Sequence, residues 1–85
     1  MNQTTLNIIV HDKVTVLERI LQVTRYRGFF VVALNSSIKP DSEMIDIKLV
    51  VRSELSIDRL LNQINKLIDI YEVTIEKEEV LGTIV

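Results

Sequence analysis

Two stretches of helically spaced apolar residues, each lying between extended segments, constrain this chain more than any other feature. In the first stretch, Thr15 and Glu18 have the spacing of a capping box, and Gly28 follows two arginines at the expected helix end. The second stretch begins after Ser56, a good N-cap residue. The pattern predicts two amphipathic helices. Their apolar stripes are Val14, Val16, Leu17, Ile20, Leu21 and Val23 in the first and Ile57, Leu60, Leu61, Ile64, Leu67 and Ile68 in the second.

Four further segments have the patterns of β-strands. Apolar and polar residues alternate over residues 6–10 and 44–51, and a last strand presents Tyr71, Val73 and Ile75 on one face. Residues 29–34 are apolar without interruption, which predicts a strand covered on both faces. The order βαββαβ predicts an α+β, ferredoxin-like fold, in which two helices cover one face of a four-stranded antiparallel sheet and the second and fourth strands are edges. We assign residues 1–79 to one domain and residues 80–85 to a C-terminal tail.

The most apolar strand of the predicted sheet therefore falls at an edge. An open apolar edge invites aggregation unless charges, proline or a cover protect it, and residues 29–34 contain neither a charge nor a proline. A second copy that pairs with the same edge about a two-fold axis would cover it. We therefore predict a homodimer whose interface consists of Phe29, Phe30, Val31, Val32, Ala33 and Leu34.

Composition narrows the classes of function. The chain has 85 residues, no cysteine, one histidine and a net charge of −2, so disulfides and cysteine metal sites are excluded. No nucleophile lies in a recognisable catalytic motif, and we expect no catalytic residue, no bound metal and no cofactor. The near-neutral charge and the lack of aromatics in the third strand argue against nucleic-acid binding. A polar start and the lack of an 18-residue apolar run predict no secretory signal and no membrane span, so we expect a cytoplasmic protein.

The loop before the first helix is the candidate ligand site. It reads His11, Asp12, Lys13 and Val14 and precedes a helix N-terminus, where backbone N–H groups attract anions such as an amino-acid carboxylate. From the residues alone, a small-ligand site and a simple turn are equally good interpretations.

The segment from Leu17 to Phe29 carries a family resemblance. Its Leu-Glu-Arg-Ile sequence, the Arg-Gly-Phe at the helix end and the Gln-Ile-Asn-Lys-Leu-Ile-Asp-Ile sequence of residues 63–70 together resemble the ACT domain of acetolactate synthase small (regulatory) subunits. The resemblance covers about residues 5–77. In its single-domain length and in the glutamate of its Leu-Glu-Arg sequence, the chain is most similar to the isozyme II branch of that family.

The resemblance implies a non-catalytic protein that activates a large catalytic subunit in valine, leucine and isoleucine biosynthesis. The large subunit would hold thiamine diphosphate, magnesium and FAD. Three surfaces are candidates for contact with it: the outward groups of the sheet, the helix face of Arg19, Gln22 and Tyr26, and the tail. One alternative is a stand-alone ACT dimer that senses an amino acid and regulates another enzyme. An acyl-phosphate hydrolase of the same fold would need an arginine in the first loop, which this chain lacks.

Three positions depart from valine-sensitive relatives within the amino-acid site that the resemblance implies. Those relatives have asparagine, glycine and asparagine where this chain has Asp12, Thr15 and Phe30. Asp12 repels a carboxylate, Thr15 adds a Cβ where glycine exposes backbone N–H groups, and Phe30 removes an amide. We therefore predict weak or absent valine sensitivity. The residues of this degenerate site would be His11, Asp12, Lys13, Val14, Thr15, Phe30 and Val31.

Overall fold

The computed structural model describes residues 1–11 and 15–81 and has the predicted order of strands and helices. The elements are β1 (Asn2–His11), α1 (Val16–Tyr26), β2 (Phe30–Ile38), β3 (Met44–Ser53), α2 (Ile57–Asn65) and β4 (Ile70–Val80). The strands form one antiparallel sheet in the order β2-β3-β1-β4. β2 and β4 are therefore the edge strands, and the ferredoxin-like prediction is confirmed.

The hydrophobic core lies between the sheet and the two helices. Alternate residues of the central strands β1 and β3 point into it, as the period of a pleated strand requires. Each helix contributes buried residues four positions apart, which lie on one face of a helix. The buried apolar residues are Leu6, Ile8, Val10, Val16, Ile20, Phe29, Ile47, Leu49, Val51, Leu60 and Ile64.

Helix α1 ends in a turn that favours glycine. Gly28 has a φ of +86°, and its N–H donates to the Arg25 carbonyl at 3.1 Å while the Phe29 N–H donates to the Thr24 carbonyl at 3.0 Å. These two hydrogen bonds form a Schellman motif, in which the left-handed residue avoids a steric penalty when it has no Cβ. The turn directs the Phe29 side chain into the core, where it is 4% exposed.

The starts of the two helices differ, and one of them corrects the prediction. Ser56 has extended dihedral angles, and its hydroxyl accepts a hydrogen bond from the Asp58 N–H at 3.3 Å, as predicted for an N-cap. Thr15 instead has helical angles, with φ −89° and ψ −8°, and its side chain makes no capping hydrogen bond. The predicted capping box of Thr15 and Glu18 is therefore wrong, because capping requires the N-cap residue to be extended. Val14 of the predicted stripe lies outside the described residues.

The second helix is shorter and the last strand is longer than predicted. α2 ends at Asn65, and Ile68 of the predicted stripe is 74% exposed. The chain turns at Asp69, which has a φ of +76°, and then begins β4. β4 takes in Val80, the first residue of the predicted tail. Residues 82–85 of that tail lie outside the described residues.

Candidate functional site

The first part of the candidate site is the free edge of β2. Phe30 is 69% exposed and Val32 is 40% exposed, while Val31 and Leu34 pack against the core. The protomer itself therefore does not cover both faces of this strand, contrary to the sequence-based expectation. Phe29 differs from the other predicted interface residues, because it precedes β2 and its side chain is buried within its own protomer.

The two edges of the sheet differ in how well they resist pairing. β2 contains no charged residue and has a register shift between Val31 and Ala33. β4 has two register shifts and carries exposed charges at Glu76, Lys77 and Glu78. Bulges and charges protect an edge strand from further pairing. β2 is therefore the edge that is better suited to accept another strand.

The second part of the candidate site lies at the other end of the sheet. His11 pairs with Met44 at the start of β3, whereas Phe30 pairs with Arg52 near its end. Eight positions along β3 separate these two partners, which is about 26 Å at the rise of a strand. One protomer therefore does not bring His11 and Phe30 together.

The two described residues that flank the first loop, His11 and Thr15, are both exposed. The His11 N–H donates to the Asp69 carbonyl at 2.9 Å, and its ring meets the Tyr71 ring edge-on with 6.4 Å between centroids. The Thr15 carbonyl accepts from the Arg19 N–H at 3.1 Å, within the first turn of α1. The predicted ligand residues between them, 12–14, lie outside the described residues. Val31, the last of the predicted ligand residues, faces the core.

The open face of the sheet holds a polar cluster that sequence reasoning missed. The Asn7 side-chain amide donates to the Glu76 carboxylate at 3.2 Å, and the Lys48 ammonium lies 3.4 Å from the same oxygen. The hydrogen bond from Asn7, aided by Lys48, lowers the pKa of Glu76 below its ordinary value of 4.5. These residues lie on β1, β3 and β4, so nothing in their local sequence signals the contact.

The described part of the chain has neither a membrane-spanning helix nor a metal-binding cluster of side chains. No helix of residues 1–11 and 15–81 is long and apolar enough to cross a membrane. Over the same residues, no group of three or more histidine or carboxylate side chains is arranged to hold a metal ion.

Comparison with known proteins settles the family. The ACT-domain family matches residues 12–73. The small subunit of acetolactate synthase isozyme 2 from Escherichia coli K12 is 40% identical over 75 residues, which is 88% of this chain and 86% of that protein. The chain belongs to the ACT-domain family of acetolactate synthase small subunits. The Shigella flexneri small subunit matches with the same identity and coverage.

Solved structures share the fold at low sequence identity. A Thermotoga maritima acetolactate synthase small subunit has a TM-score of 0.75 and 19% identity over 86% of this chain, which spans 46% of that protein's length. The ACT domain of a Chlorobium tepidum GTP pyrophosphokinase has a TM-score of 0.70 and 14% identity, and the match covers 86% of this chain and 95% of that domain. The same fold therefore occurs in proteins with different activities.

Proposed function

We propose that this chain is the non-catalytic regulatory subunit of an acetolactate synthase and that it activates a large catalytic subunit. The observation that carries the proposal is the 40% identity to an isozyme 2 small subunit along 88% of this chain and 86% of that relative. A match along nearly the whole of both chains favours the same role. The large subunit would hold the thiamine diphosphate, magnesium and FAD, and the complex would work in branched-chain amino-acid biosynthesis in the cytoplasm.

Reconstitution tests this role. A purified large subunit is assayed for acetolactate formation alone, with increasing amounts of this chain, and with an unrelated ACT domain as the control. We expect the rate to rise and saturate with this chain only, because specific binding at one surface saturates. An unchanged rate at saturating concentration of this chain would refute the role.

The same proposal includes a homodimer formed through β2. Its support is the exposed, uncharged edge of that strand, with Phe30 69% exposed and Val32 40% exposed. Antiparallel pairing about a two-fold axis also places the start of one β2 beside the end of the other. The Phe30 end of one protomer then approaches the His11 end of the second, which a single protomer keeps apart. Light scattering at low micromolar concentration tests the dimer, and a mass of one protomer would contradict it.

Weak or absent valine binding completes the proposal. Its support is the chemistry of Asp12, Thr15 and Phe30, which places a negative charge, a Cβ and an aromatic ring where anion recognition needs donors and space. Calorimetry with the dimer should show no saturable heat with valine below millimolar concentration. Sub-millimolar binding would contradict this part of the proposal and leave the activating role intact.

A further inference from the structure

The end of α1 presents an unusual surface on the helix side of the protomer. Tyr26 is 84% exposed, and the guanidinium of Arg27 lies 5.5 Å from its ring centroid. Both side chains line a shallow, open depression that extends from α1 to Gln63 of α2. We call this surface the Tyr26 patch, and its residues are Gln22, Val23, Arg25, Tyr26, Arg27 and Gln63.

The helices and the sheet differ in how their positive charges are neutralised. The helices with their C-cap residues carry five cations, Arg19, Arg25, Arg27, Arg59 and Lys66, and only two carboxylates, Glu18 and Asp58. None of these five cations ion-pairs within residues 1–11 and 15–81. Among the described residues, three lysines of the sheet and its loops are paired, Lys39 with Asp46, Lys48 with Glu76 and Lys77 with Glu79. Arg52 of β3 instead donates a hydrogen bond to the neutral side chain of Gln3.

Unpaired cations on a net acidic chain select an acidic partner surface. The whole chain has a net charge of −2, so the residues outside the positively charged helices carry a larger net negative charge than the chain as a whole. Tyrosine and arginine are also among the residue types that contribute most often to binding energy at protein interfaces. An exposed tyrosine beside unpaired arginines therefore has both the charge and the composition of a docking surface.

The Tyr26 patch is also continuous with the proposed dimer edge. A second concavity, lined by Arg25, Gly28, Phe29, Phe30 and Val31, connects the end of α1 with the start of β2. Two β2-paired protomers would thus present two such patches on the same helix-covered side, related by the two-fold axis.

We propose that the Tyr26 patch binds an acidic segment of the catalytic large subunit. This inference rests on the proposed function. Of the three candidate surfaces, it assigns the helix face that includes Gln22 and Tyr26 to the contact with the large subunit. In the complex, the arginines of the patch pair with carboxylates of the large subunit, and the Tyr26 ring packs into its surface.

Binding and activation titrations with the large subunit test the patch. The patch variants are Tyr26→Ala and Arg27→Glu. The matched control for the tyrosine is Ile68→Ala, which removes a side chain that is 74% exposed and lies outside the patch. The matched control for the arginine is Lys77→Glu, which reverses an exposed charge on β4. We expect each patch variant to weaken binding at least about tenfold and each control to change it less than about twofold. Binding of the wild-type chain should also weaken with added salt. Circular dichroism checks that all four variants fold.

Each alternative outcome has a distinct meaning. Patch variants that bind within twofold of the wild type would overturn the patch and leave the proposed function standing. A wild-type chain that neither binds nor activates would overturn the function itself. If Arg27→Glu lost self-association, the patch would bind a second copy of this chain. If the wild-type chain retained nucleic acid and Arg27→Glu did not, the patch would bind nucleic acid. Either result would overturn the inference.

Discussion

Replacing Phe30 by alanine separates the stability of the protomer from the stability of the dimer. Complete burial of a phenylalanine side chain is worth about 1.5–3 kcal/mol, and 69% of Phe30 remains exposed in the protomer. Covering that remainder in a partner is therefore worth at most about 1–2 kcal/mol for each protomer. A two-fold interface counts the residue twice, so Phe30→Ala should weaken the dimer by at most about 2–4 kcal/mol, or roughly 30- to 1,000-fold in the dimer Kd.

The assay is urea unfolding at several protein concentrations together with sedimentation equilibrium. Stability of the wild-type chain should rise with concentration, because association stabilises the folded state, and Phe30→Ala should lose most of that dependence. The neighbouring change Phe29→Ala is the contrast. Phe29 is 4% exposed within its own protomer, so its removal should cost about 3–5 kcal/mol at every concentration. An unchanged dimer Kd in a folded Phe30→Ala variant would refute this reasoning.

Three further predictions follow from local geometry. Gly28→Ala should destabilise the protomer by about 1–2 kcal/mol in chemical unfolding, because an alanine Cβ clashes with the backbone at a φ of +86°. An unchanged midpoint would contradict the left-handed conformation assigned to residue 28. Ser56→Ala should cost about 1 kcal/mol by the same measurement and Thr15→Ala much less, since only Ser56 makes a capping hydrogen bond; equal losses would contradict the assigned caps. NMR titration should place the pKa of Glu76 below 4.5 in the wild-type chain and show a higher pKa in Asn7→Ala. Because folding lowers this pKa, the ionised Glu76 side chain stabilises the fold at any pH above its unfolded-state pKa. That stabilisation is lost as the pH falls through the folded-state pKa. A Glu76 titration that Asn7→Ala leaves unchanged would contradict that hydrogen bond.

The fold could be predicted because local patterns in this chain agree with the packing. Ile20 and Leu60 were predicted on the apolar stripes of their helices, and both are fully buried. Gly28 marked the end of α1 because few other residues adopt its left-handed conformation. The predicted element bounds were wrong where the local apolar pattern conflicted with the path that the chain takes through the fold. The stripe of α2 continued to Ile68, but the helix ends at Asn65 so that the chain can turn at Asp69 and bring Ile70 beside Val10 of β1.

The candidate site was less predictable because it depends on contacts between distant segments. Asn7 and Glu76 are 69 positions apart, and neither has a motif around it that predicts the pair.

Thr24 is fully buried on α1 despite its hydroxyl, which donates to the Ile20 carbonyl at 2.7 Å. Periodicity alone does not predict this placement, because a polar side chain can be buried when its own helix supplies a hydrogen-bond acceptor.

Hydrogen exchange at the two sheet edges tests the central claim, closure of β2 by a second copy, most directly. Edge amides that point away from the sheet exchange quickly unless another strand pairs with them. In the isolated chain at dimer-forming concentration, we predict slow exchange at the outward-pointing amides of β2 and fast exchange at those of β4. On dilution, the protection on β2 should be lost before that of the central strands. Equally fast exchange on both edges at every concentration would contradict the claim.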